Sequence, residues 1–312
     1  MTHVPAPGPV LGVDIGGTKV LAVELGPEAG VVAATHVPMP GRDASEREVE
    51  DALTAAVTRL AAGREVAAVG VAAAGLVDAE RERLRFAAHL PWRDAPVRRR
   101  LADRWGTSVV LDNDANCAAY AESAAGAARG AGSALMITLG TGIGGAILLD
   151  GALVRGANGM AGEFGHVQVV PDGLPCECGL RGCWEQYCSG RALERVMRVA
   201  VGSHLDGPEI SARARAGDHV ARGAFDAIGT WLGVGIAGLA SSFDPALVVV
   251  GGGVSAGGDL LLEPARAALA DSLQAADRRT VPPVVPAAFG AEAGALGAAL
   301  LAASGRRAGP VA

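Results

Sequence analysis

The sequence predicts an α/β protein built from two successive units with a cleft between them. Three observations carry that reading. Residues 11–13 form an apolar run that enters the turn Asp14-Ile15-Gly16-Gly17-Thr18. The pattern restarts at residues 134–139, which enter Gly140-Thr141-Gly142-Ile143-Gly144-Gly145. The chain has 312 residues, half of them apolar and only 19% charged, enough to close two packed cores.

Each element follows from local pattern. Residues 20–25 and 31–37 read as strands completing a meander. Val49, Leu53, Val57 and Leu60 recur at helical spacing and predict a helix over residues 46–61. Residues 66–72 and 109–112 are β-branched apolar runs, read as buried strands, and a helix over 115–128 begins directly after Asp114. In the second half, residues 146–149 with Asp150-Gly151 read as a hairpin. Helices are expected over 190–201, 208–216 and 218–243, the last of them either continuous or broken. A buried strand at 246–250 ends in Gly251-Gly252-Gly253; a helix over 259–275, a strand near 284–287 and a final helix over 291–303 close the chain. The expected division is a small lobe over residues 1–115 completed by the helix at 291–303, a large lobe over 116–290, and a tail from 304 to 312.

Composition excludes several functions. A net charge of −6 gives no electrostatic footprint for nucleic acid or an anionic membrane. The first nine residues lack the basic start and apolar run of a signal peptide, and no uninterrupted apolar stretch of ~18 residues predicts a membrane span. Five cysteines, three of them crowded at Cys176, Cys178 and Cys183, fit a metal site in a reducing, cytoplasmic setting better than a disulfide framework.

Glycine is abundant, 45 residues against a usual share of ~7%, and it clusters after apolar runs. A triphosphate needs backbone N–H groups at close approach, which excludes Cβ atoms, and a hydroxyl or cation at the end. Gly16, Gly17, Thr18 and Lys19 offer these, and Asp14 offers a carboxylate for Mg²⁺ through water. The Walker spacing is absent. A tight turn alone would explain one such triplet. The second turn, with Gly140, Thr141, Gly142 and Gly144, and the Gly252-Gly253 step after a buried strand together point to ATP.

Asp112-Asn113-Asp114-Ala115-Asn116 sits where a strand meets a helix N-terminus. Asp112 or Asp114 could serve as the helix N-cap. Equally, phosphoryl transfer to a hydroxyl requires a carboxylate to take the proton, and Asp114 is the candidate, with Asn113 orienting the acceptor. Downstream, His166 with Cys176, Cys178 and Cys183 can complete a closed tetrahedral zinc site. If one nitrogen of His166 binds metal, its other N–H is fixed and free for a ligand. Glu163 and Glu185, flanking that loop, join His166 as candidates for sugar hydroxyl contacts.

In order, these motifs resemble the ROK sugar kinases (repressors, open reading frames and kinases), and within them the actinobacterial-type glucokinases. The likeness spans residues 11–303. It implies a duplicated ribonuclease-H-like, actin-like ATPase fold, ATP with Mg²⁺, a structural Zn²⁺, and transfer to the 6-hydroxyl of glucose. It also implies Asp114 as base, Asn113, Glu163, His166 and Glu185 on the sugar, and a homodimer or homotetramer. Ala74 stands where the family often has Pro, and Ala88-His89 where Pro-Asn is common, in a loop near the family's sugar pocket. The repressor branch would need an N-terminal DNA-reading element for which there is no room before Asp14. Kinases for N-acetylmannosamine, mannose or fructose, polyphosphate as donor, and a sugar sensor without a DNA-binding domain are the competing readings. A sensor is expected to lose Asp114.

Overall fold

The computed structural model describes residues 8–41 and 43–307, so most of the expectation about the N-terminus falls outside the described residues. Two compact units emerge. The first runs through Arg129, takes in Leu153–Ala161 and resumes at Ala291; the second comprises Gly130–Ala152 and Gly162–Gly290.

The first unit opens with β1 (Val10–Ile15), β2 (Lys19–Leu25) and β3 (Val31–Pro38), an antiparallel meander. Helix α1 (Glu46–Ala61) has the predicted bounds because its signals are local. Ser45 and Glu48 form a reciprocal capping box, and Val49, Leu53, Val57 and Leu60 turn one face into the core. Each such buried aliphatic side chain contributes ~1.5–3 kcal/mol. Strand β4 (Ala68–Ala73) pairs parallel to β1. A small sheet of β5 (Leu76–Val77), β6 (Leu84–Phe86) and β7 (Arg93–Ala95) follows, then α2 (Val97–Trp105), β8 (Ser108–Asn113) and α3 (Asp114–Ala125). The main sheet has the order β3-β2-β1-β4-β8.

The second unit repeats this plan. Strands β9 (Ser133–Leu139), β10 (Ile143–Leu149) and β11 (Ala152–Leu153) form the meander, turned at Asp150-Gly151, where both φ angles are positive as a two-residue hairpin of this hand requires. After α4 (Gly190–Val201), α5 (Gly207–Arg215) and α6 (His219–Phe243) come β12 (Leu247–Gly251), α7 (Asp259–Ser272) and β13 (Val284–Pro286). The order is β11-β10-β9-β12-β13, with β9 antiparallel to β10 and parallel to β12. Order and strand sense match the first sheet, so the chain is a duplicated ribonuclease-H-like fold.

Helix α8 (Ala293–Arg307) returns to the first unit. It lies backbone to backbone on the sheet: a Cβ on Gly12 would fall 1.9 Å from the Ala295 carbonyl oxygen, and one on Gly70 equally close to that of Ala298. Only bare Cα atoms at these strand positions admit the helix.

The structure corrects several expectations. Strand β10 starts at Ile143, so Gly144 and Gly145 are strand residues and the turn is confined to residues 140–142. Helix α6 is continuous, and three of its glycines, Gly229, Gly233 and Gly235, lie where α7 and Trp184 press against it. By length and composition α6 could cross a bilayer, but 56% of its most apolar window is buried inside the second unit, as in a core helix. The first unit extends to Arg129, beyond residue 115, because α3 packs under α8. The helix expected to stop at residue 303 continues to Arg307, and residues 308–312 of the expected tail lie outside the described residues.

Candidate active site

The β8–α3 junction resolves the choice left open at Asp112–Asp114. The N-cap of α3 is Asn113, whose Oδ1 accepts from the backbone N–H groups of Ala115 (2.8 Å) and Asn116 (3.1 Å). Its amide nitrogen donates to the Gly75 carbonyl at 3.2 Å. Asp114 is therefore the first residue of α3 and is released from capping. The Asp114 carboxyl is raised above the ordinary aspartate range. Loss of water around it outweighs the hydrogen bonds from its own N–H, that of Ala115 and the Asn113 amide.

Asp14 ends up beside it through sheet register. Asp14 pairs with Ala72, and Ala72 pairs with Asp112, so β1, β4 and β8 finish level. The carboxylate of Asp14 rests against the first turn of α8, where a Cβ on Gly294 would lie 2.7 Å from Oδ2. Burial first, and then the charge of Asp114, push the Asp14 carboxyl up to about 7. Two carboxyls so placed resist ionising together.

The first glycine turn projects from these strands, with the Gly16 N–H donating to the Lys19 carbonyl at 3.1 Å. Gly17, Thr18 and Lys19 are exposed at its tip. A Cβ on Gly17 would touch nothing, and its φ is not in the left-handed region, so the fold itself does not require glycine there. The same is true of Gly140 and Gly253 in the second unit. Gly252 is different: φ is 84° and a Cβ would meet the Leu139 backbone at 2.5 Å. Gly142 is also spoken for, because the Glu185 carboxylate sits over its Cα. Gly144 lies within β10, and Thr141 is exposed at the turn.

The predicted metal ligands come together. One ligand atom from each of His166, Cys176, Cys178 and Cys183 lies within 4.8 Å of every other. The Cys178 and Cys183 sulfurs are 3.6 Å apart, and Cys176 Sγ is 3.7 Å from His166 Nδ1. A tetrahedral zinc with bonds of ~2.3 Å to sulfur and ~2.0 Å to nitrogen sets its ligands about 3.5–3.8 Å apart, so the donor set fits the ion. Burial lifts the Cys176 thiol to about 12 and raises Cys183 as well. At Cys178 burial is outweighed by hydrogen bonds from the Leu180 backbone and the neighbouring thiols, and its thiol is lowered. A cation bound by these residues would relieve that conflict by stabilising all three thiolates. His166 turns Nδ1 towards the sulfurs, which leaves Nε2 for another partner. Glu185 Oε1 lies 3.1 Å from Cys176 Sγ, and Glu163 directly precedes the short 3-10 turn Phe164–His166. Thus His166, Glu185 and the Gly142 turn are held in one cluster, with Glu163 on the adjoining segment.

Sequence reasoning missed the partner of Asp112. Arg155, from the excursion Leu153–Ala161, donates Nε (3.0 Å) and Nη2 (2.6 Å) to Asp112 Oδ2. The two residues are 43 positions apart, and no local pattern joins them.

A ROK family profile matches residues 10–304. The chain belongs to the ROK family. Among its relatives, the glucokinase of Streptomyces coelicolor is 41% identical over 95% of this chain and 98% of that protein. An N-acetylgalactosamine kinase of Shewanella sp. is 34% identical over 93% of this chain and 95% of that protein. The crystal structure of a ROK family glucokinase from Streptomyces griseus in complex with glucose and AMPPNP is 42% identical. It covers 95% of this chain and 100% of that one, with a TM-score of 0.89. The ROK assignment agrees with the actin-like, duplicated architecture described above.

Proposed function

We infer that the chain is an ATP-dependent glucokinase, transferring the γ-phosphoryl group of ATP to glucose to give glucose 6-phosphate. The observation that carries this is the near-full-length likeness to the Streptomyces griseus enzyme, a ROK glucokinase whose structure holds glucose and an ATP analogue.

In the proposed reaction the Asp114 carboxylate accepts the proton of the sugar hydroxyl as its oxygen bonds to the γ-phosphorus. The bond from that phosphorus to the β–γ bridging oxygen breaks, and ADP leaves. Asn113, Glu163, His166 through Nε2, and Glu185 hold the sugar hydroxyls. Gly17, Gly140 and Gly253, the glycines that the fold does not require, give the nucleotide its closest backbone approach. Gly16, Thr18, Lys19, Thr141, Gly142 and Gly252 shape those turns, Gly144 follows the second of them in β10, and Asp14 takes Mg²⁺. Zinc on His166, Cys176, Cys178 and Cys183 supplies a fixed frame for His166 and Glu185. A cytoplasmic homodimer or homotetramer completes the reading.

ADP release measured across a hexose panel tests it. Glucose is expected to be the best acceptor, and Asp114→Asn to lower kcat by ~10²–10⁴-fold. Near-wild-type turnover by that variant would sink the assignment of the base. Turnover confined to an N-acetylated hexose, the acceptor class of the Shewanella relative, would move the substrate and leave the kinase reading standing.

A further inference from the structure

Asp112 is 1% exposed, and its carboxylate is saturated by four donors. Oδ1 accepts from the Asn113 N–H (2.9 Å) and from Asn116 Nδ2 (3.1 Å); Oδ2 accepts from Nε and Nη2 of Arg155. Asn113 and Asn116 bracket Asp114 in sequence. The turn that presents Asp114 is therefore wound around the Asp112 carboxylate, and the orientation of that carboxylate is set by a planar guanidinium on its far oxygen. The arrangement fixes more than one amide. With Nδ2 of Asn116 committed to Asp112, its Oδ1 is left buried without a hydrogen-bond partner. Turning that amide over would set two oxygens against each other, so the pair enforces a costly orientation.

The origin of Arg155 adds to this. It stands on a nine-residue excursion whose flanks, Gly130–Ala152 and Gly162–Gly290, belong to the second unit, while the excursion itself belongs to the first. A second anchor is Gly159, with φ 82° and no room for a Cβ beside the Val77 carbonyl and the backbone of Asp78 and Ala79. The segment leaves these anchors and runs directly into Glu163 and His166.

We propose that Arg155 is a positioning residue for phosphoryl transfer, acting through Asp112 to hold Asn113 and Asp114 in their working geometry. Arg155 touches no reacting atom in this scheme; its effect passes through the buried ion pair. The proposal rests on the glucokinase reading, and its test separates the two.

The test compares wild type with Arg155→Met, Arg155→Lys, Asp112→Asn and the Asp112→Asn/Arg155→Met double variant. Kinetics with glucose and ATP are read alongside thermal unfolding. Arg155→Met is expected to lower kcat by ~10²-fold, the scale set by misplacing a catalytic group by about 1 Å, with KM for both substrates near wild type. Arg155→Lys keeps the charge without the two-pronged geometry and should fall between. The double variant should be no slower than the worse single variant, because the pair acts as a unit. Wild-type kcat in a folded Arg155→Met overturns the proposal. So does a loss that only tracks the folded fraction, or multiplicative effects in the double variant. If Arg155→Met does not fold, Arg155→Lys and Asp112→Asn decide by the same kcat-against-KM split. If wild type fails to phosphorylate glucose, the functional reading fails instead, and the pair is tested on the hexose that is turned over.

Discussion

Asp14 shows how one partly buried carboxylate ties stability to pH. Its ordinary value of 3.8 rises to about 7 in the fold. In the unfolded chain the group ionises near 4, whereas in the folded protein it keeps its proton until about pH 7. Folding is therefore unaffected below pH 4, loses stability from there to pH 7, and stays at the lower level above it. Asp14→Asn, measured without Mg²⁺ or nucleotide, is expected to gain on wild type over that window. The gain should reach a few kcal/mol, at about 1.4 kcal/mol per pH unit. A denaturant series at pH 4, 6 and 8 checks this; an equal difference at all three pH values would count against it. Single residues were also where sequence said least. Asp114 could be picked out as an acid at a strand end, but the N-cap fell to Asn113, a choice made by side-chain geometry that no spacing encodes. The Asp112–Arg155 pair was invisible for a similar reason, being a contact of the folded chain.

At the scale of the element, the glycine turns divide into two kinds, and substitution should tell them apart. Gly17→Ala meets no atom and demands no unusual φ, so stability should change by less than ~0.5 kcal/mol. KM for ATP is nonetheless expected to rise. Gly252→Ala drives a Cβ into the Leu139 backbone at a left-handed φ and should destabilise the fold itself, lowering the unfolding midpoint. The metal loop behaves as a third case. Purified protein should carry about one zinc per chain, as a closed four-ligand site implies, and Cys178→Ala should lose it. Elemental analysis with thermal unfolding is the check. These elements were legible to different degrees. α1 had a capping box and a clean apolar stripe, and Cys176, Cys178 and Cys183 lay close in sequence with His166 nearby. Strands β5–β7 are two or three residues long, too short for periodicity to register. Helix α2, arginine-rich and burying only Val97 and Leu101, gave almost no apolar stripe.

The whole molecule was legible in its repeat. Two strand-and-glycine openings announced two copies of one plan, and the matching sheet orders β3-β2-β1-β4-β8 and β11-β10-β9-β12-β13 bear that out. The unit boundary was harder to read because α3 looks, from sequence, like the opening helix of the second unit. Its partner α8 begins 168 positions after α3 ends (293 − 125), and only packing reveals that the two belong together.

The place of α8 in the chain has a consequence for how the protein comes into being. A ribosome delivers α8 after the second unit, yet β1 and β4 carry glycines at 12 and 70 that leave the room it fills. Until residue 307 emerges, the first-made sheet has an uncovered face, while most of the second unit has already been synthesised. The N-terminal unit should therefore mature last, reversing the order of synthesis, as its distant contacts imply. A chain ending at Gly290 is expected to show amide protection in β9, β10 and β12 and little in β1 and β4. Comparable protection in both sheets, read by hydrogen exchange, would mean that the sheet closes without its lid.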